Sequence, residues 1–298
     1  MLSAIIPIAN YENNANNLKK IINLCSDVAI ELLFVLDIDS HSYSKQLEQI
    51  LKVSKIKNYK ILLSNAGNPG GTRNIGLNNL TSAWVTFWDC DDMPNPKEFQ
   101  ILADETQLKG KLIGVGSYMV TSFSHIELLE ENILQPNFDQ SMKQIALNPG
   151  IWRFIFNKEI LKDIEFANLR MAEDQVFLAK ILSQSPEINI SDKVIYNYCV
   201  GNSSQLTYNS NSIADLVYSV ELTMGILLQC KSKYKSVLNV FLARQIISAL
   251  RHGNTKTKIQ IISFTLKSIF SKKIFELIVG FLNFFYYSFE IKKKRLEV

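Results

Sequence analysis

The chain is poor in the residues that build histidine or cysteine sites. Three histidines are scattered along its 298 residues, so a histidine-based metal cluster is not expected. The four cysteines form no Cys-x-x-Cys pair: Cys25, Cys90, Cys199 and Cys230. Neither a zinc site nor a disulfide framework is indicated, and this cysteine usage is typical of a cytosolic protein.

The first ten residues lack the basic stretch of a signal peptide. Their apolar run is short and is broken by Pro7, so we expect a strand there. The hydrophobic fraction of 47% is ordinary for a protein with a packed core. The length suits one large α/β domain with a smaller appendage.

Acidic residues become scarce towards the end of the chain. Residues 1–230 contain 18 Lys+Arg against 25 Asp+Glu, whereas residues 231–298 contain 14 against 3. A basic tail on an acidic body suggests an anionic surface as partner, with membrane and nucleic acid as the usual candidates.

The first hundred residues alternate between apolar runs and helical patterns. The predicted strands are Leu2 to Ile8, Ala29 to Leu36, Tyr59 to Ser64 and Trp84 to Trp88. The predicted helices are Asn14 to Cys25, Ser44 to Ser54 and Thr72 to Leu80. This alternation predicts an α/β fold with a mainly parallel sheet flanked by helices.

The pattern is less regular beyond Pro96. We expect a helix to Leu108, a strand from Leu112 to Thr121 and a loop-rich region through Pro149. A strand from Trp152 to Phe156 and a helix from Glu173 to Ser183 follow.

Carboxylates are crowded at the end of the fourth predicted strand, at Asp89, Asp91 and Asp92. Such groups repel one another unless a cation lies among them, which suggests a metal-dependent site for a phosphorylated ligand. Asp37 and the Gly70-Gly71 turn also fall at the ends of predicted strands. In a parallel sheet these ends share one edge, so we expect one crevice there.

Four segments together resemble family 2 glycosyltransferases, which are inverting enzymes of the GT-A fold and include bacterial surface-polysaccharide types. The segments are residues 3–10, 70–77 (Gly-Gly-Thr-Arg-Asn-Ile-Gly-Leu), 87–92 (Phe-Trp-Asp-Cys-Asp-Asp) and 172–177 (Ala-Glu-Asp-Gln-Val-Phe). The resemblance covers about residues 3–205, and four motifs in register are far more specific than one Asp-x-Asp.

The resemblance implies that Asp89 faces the ribose of a nucleotide sugar and that Asp91 reaches a divalent metal, Mn²⁺ or Mg²⁺, bound to the diphosphate. It leaves Asp92 as a supporting group or as the start of the next turn. Asp37 would hold the uracil or ribose, although Asp39 could serve instead and an Asx turn is the structural alternative. Four further residues are implied beside the nucleotide: Pro7, Asn10, Arg73 and Asn74.

The resemblance makes Asp174 the catalytic base and Glu173 a residue that orients the base or a sugar hydroxyl. Acidic residues in a first helical turn can also simply complement the helix dipole. Trp152 lies near the family's acceptor subsite, but a tryptophan in so apolar a segment is more often part of the core. The chain departs from the family pattern at Ala9 and at Cys199 or Val200, where a tyrosine and an arginine are usual.

The function implied is transfer of a sugar, most simply from a UDP-sugar, to a glycan hydroxyl in polysaccharide, capsule or lipopolysaccharide synthesis. Two alternatives stay open: a nucleotide-sugar-binding protein without turnover, and a metal-dependent nucleotidyltransferase. The Glu173-Asp174 pair favours the glycosyltransferase, because neither alternative needs it.

We expect residues 1–205 to form the catalytic domain and residues 206–298 a basic helical region. The predicted helices there are Ile213 to Gln229, Tyr234 to Arg251, Lys258 to Phe270 and Ile274 to Ile291. The last has an uncharged core shorter than the ~20 residues of a spanning helix, so we expect it to lie on an anionic membrane. The flanking basic residues are Lys272, Lys273 and Lys292 to Arg295.

This arrangement would place the enzyme in the cytoplasm, peripherally at the inner face of the cytoplasmic membrane. Packing of the last helix on the domain, or at an interface between copies, is the alternative. Nucleic acid is not expected, because no interleaving of aromatic and basic residues accompanies the motifs.

Overall fold

The computed structural model describes residues 1–122, 127–201, 210–269, 271 and 273–296. The chain divides into two compact units that are not consecutive in sequence. The first comprises residues 1–136, 151–168 and 186–205, and the second comprises residues 137–150, 169–185 and 206–298.

The first unit contains a nine-stranded sheet. Its strands are β1 (Leu2–Ile8), β2 (Ile30–Leu36), β3 (Tyr59–Leu63), β4 (Trp84–Phe87), β5 (Met93–Pro94), β6 (Ile113–Ser122), β7 (Leu128–Asn132), β8 (Phe154–Asn157) and β9 (Ile188–Val200). The order is β3-β2-β1-β4-β8-β6-β9-β5, and β7 pairs with β6. The first four strands are mutually parallel, as are β6 and β9, whereas β8 is antiparallel to both β4 and β6.

Helices connect the parallel strands, and an asparagine caps three of them. The helices are α1 (Tyr11–Leu24), α2 (Ser44–Val53), α3 (Pro69–Asn78) and α4 (Pro96–Leu108). The side chains of Asn10, Asn68 and Asn95 accept hydrogen bonds from backbone amides of the first turns of α1, α3 and α4. A proline at the first position of α3 and of α4 has the fixed φ of a helix start.

The mixed, mainly parallel sheet confirms the predicted fold class. All seven residues of β2 are buried, which is the consequence of helices covering both faces of a parallel strand. The predicted strands and helices up to Leu108 agree with the structure to within a few residues at their ends.

Two predictions about the middle of the chain are wrong. The stretch before Pro149 is not simply loop, because it contains β7 and a helix, Phe138–Leu147. β7 pairs with β6 at the edge of the sheet, and its Leu128, Leu129 and Glu131 are exposed, so its sequence does not alternate between apolar and polar residues. Trp152 lies in a short 3₁₀ helix, Ile151–Arg153, and the strand begins only at Phe154.

The second unit is helical. Its helices are α5 (Phe138–Leu147), α6 (Glu173–Leu182), α7 (Ser210–Ile213), α8 (Leu216–Gln229), α9 (Lys235–His252), α10 (Thr255–Ile269) and α11 (Lys273–Leu296). The buried α9 contacts α5, α8, α10 and α11. Within the described residues, α11 is the one helix whose length and composition would allow it to cross a membrane, over Lys273–Lys293. Few of its residues are buried against the protein.

Candidate functional site

The sheet has a switch point at β1. β2 and β3 lie on one side of it and β4 on the other, and all four strands run in the same direction. Their carboxyl ends therefore share one edge, the place where open α/β sheets bind ligands. Pro7 and Asn10 lie at the end of β1, with Asp37 following β2 and Asp89 following β4. The structure thus brings these predicted site residues to one edge.

Asp89 is paired with an arginine. Nη2 of Arg73 donates to Oδ1 of Asp89 at 2.7 Å, and Arg73 is only 5% exposed. The guanidinium also lies over the ring of Phe166, 5.6 Å from its centroid. The side chain of Asp89 is 29% exposed, so this carboxylate is compensated in charge but still accessible.

Asp92 ties the acidic turn to β9. Its Oδ1 accepts from the backbone N–H of Cys199 at 2.7 Å, and its Oδ2 accepts from the hydroxyl of Tyr196 at 2.9 Å. The same hydroxyl accepts from the backbone N–H of Asp89 at 3.0 Å. Complete burial, with the charges of Asp91 and Asp89, raises the pKa of Asp92 well above its ordinary value, while its two hydrogen bonds oppose that rise. Asp92 is therefore a structural group.

Asn17 fastens α1 to the acidic turn and was missed by the sequence analysis. Its Nδ2 donates to the carbonyl oxygens of Cys90 at 3.0 Å and Asp92 at 2.7 Å. The signal that could have found it is weak, namely a polar side chain beside Leu18 on the buried face of an amphipathic helix.

Asp91 is the third carboxylate of the turn. Burial, followed by the negative charge of Asp89, raises the pKa of Asp91 to about 6. Burial and the nearby charge disfavour the ionised form of this carboxyl group, and a cation bound beside it would stabilise that form. In the part of the chain that the structure describes, no three His, Cys, Asp or Glu residues come together as a metal site. One carboxylate can suffice for Mn²⁺ or Mg²⁺ when a phosphorylated ligand and water supply the other oxygen ligands, so Asp91 fits such a metal.

Asp37 is buried and holds the loop that precedes α3. Its Oδ1 accepts from the backbone N–H of Gly67 at 3.2 Å, and its own N–H donates to the carbonyl of Ile8 at 2.9 Å. Asp39, the alternative, is exposed in the following 3₁₀ helix. The contact with Gly67 gives Asp37 a structural role whether or not it also binds a ligand.

The two glycines at the start of α3 allow a close approach of protein backbone. A Cβ atom on Gly70 would lie 2.2 Å from the carbonyl oxygen of Ala167, and one on Gly71 would lie 2.6 Å from Cβ of Ala66. A neighbouring segment of the chain therefore occupies the space that a side chain at Gly70 would need.

Asn74 fixes that same segment. Its Nδ2 donates to the carbonyl of Phe166 at 3.0 Å, and its Oδ1 accepts from the N–H of Phe166 at 2.9 Å. Since both ends of the amide bind one residue's backbone, Asn74 positions Phe166 beneath Arg73.

Trp152 is half-buried among tyrosines. Its ring stacks with Tyr196 and Tyr198, at centroid distances of 4.7 and 5.4 Å, and meets Tyr118 edge-on at 4.7 Å. The adjacent Arg153, which the sequence analysis missed, is fully buried with its guanidinium 5.0 Å from the Tyr118 centroid. Burial lowers the pKa of Arg153 to about 10.

Glu173 and Asp174 belong to the second unit, where they form the first turn of α6. The helix begins after Ala172, whose φ of 62° is left-handed and unfavourable for a residue with a Cβ. Glu173 is buried, and Asp174 is half-buried with its Oδ1 accepting from the N–H of Gln175 at 2.7 Å.

Comparison with known proteins matches residues 3–163 to the family model described as glycosyl transferase family 2. Glycosyltransferase GlyA of Streptococcus pneumoniae serotype 4 is 23% identical in an alignment 220 residues long that covers 68% of this chain and 31% of GlyA. TarP of Staphylococcus aureus strain N315, named poly(ribitol-phosphate) beta-N-acetylglucosaminyltransferase, is 22% identical in an alignment 209 residues long that covers 67% of this chain and 62% of TarP. The matches thus span less than two thirds of either relative.

A crystal structure of S. aureus TarS residues 1–349, in complex with UDP-GlcNAc, superposes with a TM-score of 0.70 at 17% identity. The superposition covers 98% of this chain and 92% of that one. This likeness confirms the predicted fold, including the C-terminal helical region.

The contact at Gly70 generates a prediction about stability. In Gly70→Ala the new Cβ would collide with a backbone oxygen, so we expect the free energy of unfolding to fall by about 1–3 kcal/mol. Gly225→Ala in α8 is the control, because its Cβ would meet nothing within 4 Å and alanine should stabilise that helix by about 0.5–1 kcal/mol. Urea unfolding measures both variants. A Gly70→Ala protein as stable as the wild type would contradict the close approach.

Proposed function

The chain belongs to glycosyl transferase family 2, and on that premise we propose that it transfers a sugar from a nucleotide-sugar donor to a hydroxyl of a glycan acceptor. The observation that carries the proposal is that Asp37 follows β2 while Asp89 and Asp91 follow β4, so that these carboxylates lie at one edge of the sheet on either side of β1. Such an edge accommodates a nucleotide and its phosphates.

A UDP-linked sugar, an N-acetylhexosamine in particular, is the donor that we propose. TarS was crystallised with UDP-GlcNAc, and TarP is named as an N-acetylglucosaminyltransferase, which supports this choice. Carboxylate oxygens at Asp37 and Asp89 would accept hydrogen bonds from the base or the ribose hydroxyls. Pro7 and Asn10 would contact the nucleotide at the end of β1. The ion pair with Arg73 fixes the orientation of the Asp89 carboxylate.

A divalent metal, Mn²⁺ or Mg²⁺, is part of the proposal, with Asp91 as its protein ligand. When bound, the metal would offset the negative charge that develops on the departing nucleoside diphosphate. Asp92 does not share this role in our proposal, because both of its oxygens are hydrogen-bonded to β9.

Asp174 is the proposed general base. It would take the proton of the acceptor hydroxyl as that oxygen attacks the anomeric carbon. The bond from this carbon to the diphosphate oxygen breaks, and its electron pair leaves with the nucleoside diphosphate. Attack from the face opposite the leaving group inverts the anomeric centre. The buried Glu173 would orient the base or a sugar hydroxyl.

A growing surface glycan is the proposed acceptor, and the name of TarP supports a polymer as acceptor, in that case poly(ribitol-phosphate). A lipid-linked form of such a glycan would place the enzyme at the inner face of the cytoplasmic membrane. The basic, apolar end of the chain supports this location.

A donor panel with wild type and Asp174→Asn tests the proposal. UDP-GlcNAc, UDP-glucose and GDP-mannose are supplied with a glycan acceptor, with Mn²⁺ or with a chelator, and nucleoside diphosphate release is measured. We expect release from a UDP-sugar that depends on Mn²⁺, and a loss of about 10²–10⁴-fold in kcat for Asp174→Asn at unchanged UDP affinity. Asp139→Asn is the matched control, since Asp139 holds the equivalent first-turn position in α5.

Three other results would contradict part of this proposal or favour a different function. Full turnover of Asp174→Asn would remove the base assignment. Binding of UDP-sugars without release in the wild type would favour a binding protein. Release of pyrophosphate from a nucleoside triphosphate and a sugar phosphate would favour a nucleotidyltransferase.

Trp152 is proposed to contact the acceptor through the part of its ring that the tyrosines leave exposed. Trp152→Phe preserves stacking but offers a smaller surface to a sugar, so we expect a rise of about fivefold in acceptor KM with unchanged donor hydrolysis. An unchanged acceptor KM, together with a lowered unfolding midpoint, would assign Trp152 to the core alone.

A further inference from the structure

Helix α11 has one face fixed to the protein. Glu276, Leu277, Gly280 and Tyr287 are buried, and a Cβ on Gly280 would lie 2.5 Å from a backbone oxygen of α9, so the two helices cross closely. Two ion pairs hold the same helix: Glu276 with Lys235 of α9 at 2.7 Å, and Glu290 with Lys143 of α5. This face is therefore docked by packing and by charge.

The opposite face of α11 is apolar and uncovered. Six large side chains on it are 51–68% exposed: Phe275, Ile278, Leu282, Phe285, Tyr286 and Phe289. With 3.6 residues per turn, they fall within a stripe of about 100°. Folded proteins rarely leave such a stripe in water without a partner.

Helix α10 repeats this arrangement. Thr257, Ile261 and Ser268 are buried, whereas a second apolar row is 50–61% exposed: Ile259, Ile262 and Leu266. α10 and α11 contact each other, and both contact α9. Two neighbouring helices thus carry uncovered apolar stripes, which we call the apolar face.

Among the described side chains of α10 and α11, those that are both charged and exposed are all basic. α10 contains no acidic residue, and the two glutamates of α11 up to Lys293 are those already paired with Lys235 and Lys143. Exposed lysines border the stripes: Lys256, Lys267, Lys292 and Lys293. The side chains of Lys272, Lys294 and Arg295, which the sequence analysis included, lie outside the described residues.

We propose that the apolar face docks in the plane of an anionic lipid surface, with aromatic and aliphatic side chains at the acyl boundary and lysines at the head groups. This pattern is that of an interfacial helix, in which apolar burial and attraction to anionic lipid add together. The inference deepens the location given under the proposed function and does not depend on sugar transfer.

The docked face argues against a membrane span by α11. To cross a bilayer, α11 would have to separate from α9 at Gly280 and break both ion pairs. It would then carry Glu276 towards hydrocarbon without its partner, which is costly for a carboxylate.

The charge pattern also argues against a second copy of the chain as occupant. A two-fold interface brings the same surface of both copies together, so the lysine border of one copy would meet that of the other. Anionic lipid is complementary to this border, and a second copy is not.

Vesicle flotation of the full chain tests the proposal. We expect flotation with vesicles of phosphatidylglycerol and phosphatidylcholine, and little with phosphatidylcholine alone. The triple variant Phe275→Ser, Leu282→Ser, Phe289→Ser changes only exposed residues and should lower the vesicle partition coefficient at least about tenfold. The matched control Val53→Ser, Leu108→Ser, Leu128→Ser, with three exposed residues of the first unit, should keep wild-type binding.

Variants that remove a charge separate the contribution of electrostatic attraction to anionic lipid from that of apolar burial. Lys292→Gln and Lys293→Gln should each lower binding to the anionic vesicles about fivefold, and neither should affect binding to phosphatidylcholine alone. Asp174→Asn should float like the wild type, so that a failure of the sugar-transfer proposal does not alter this result.

Several results would overturn the proposal. One is that the wild type does not float with the anionic vesicles. Another is that the apolar triple variant floats with them as well as the wild type does. Retention in membranes after an alkaline carbonate wash would indicate a span instead. A wild-type dimer that the triple variant dissociates, without vesicle binding, would indicate a second copy on this face.

Discussion

Repulsion among three carboxylates at the end of β4 is the constraint to which the surrounding structure responds. Each carboxylate has a different environment. Asp89 is paired with Arg73, whereas Asp92 is buried and hydrogen-bonded to Tyr196 and to the amide of Cys199. Burial and the charge of Asp89 raise the pKa of Asp91 to about 6, although a hydrogen bond with its own backbone opposes that rise. The three aspartates look alike in the sequence but differ in the structure. Asp89 is balanced by a positive charge, Asp92 is structural, and Asp91 is the candidate metal ligand.

The same constraint links two motifs that are separate in sequence. Gly70 lets the backbone at Ala167 approach α3, and Asn74 holds Phe166 by both of its amide groups. The ring of Phe166 packs edge-on against Phe87 at 5.0 Å and lies under the guanidinium of Arg73. Arg73 then reaches Asp89 from a fixed position. The Gly-Gly-Thr-Arg-Asn segment thus serves the acidic turn through a residue, Phe166, that belongs to neither motif.

Sequence reasoning was most successful where a signal is local. The apolar runs of β1, β2 and β4 are buried on both faces, and the acidic residues that end β2 and β4 follow directly in the chain. The contributions of β9, Asn17 and Phe166 depend on contacts between distant segments, which leave no period in the sequence. In α11 the sequence is apolar on nearly every face. The ion pairs of Glu276 and Glu290 determine which face is docked and which is left uncovered.

Calorimetric titration of UDP into wild type, Asp91→Asn and Asp92→Asn, with and without Mn²⁺, tests the division of the cluster most directly. The account predicts that Mn²⁺ strengthens UDP binding to the wild type. Asp91→Asn should abolish this metal effect while keeping the metal-free affinity and the unfolding midpoint. Asp92→Asn should instead lower the unfolding midpoint, because two buried hydrogen bonds to a carboxylate are weakened. Retention of the full metal effect in Asp91→Asn, together with its loss in a stable Asp92→Asn, would contradict the account.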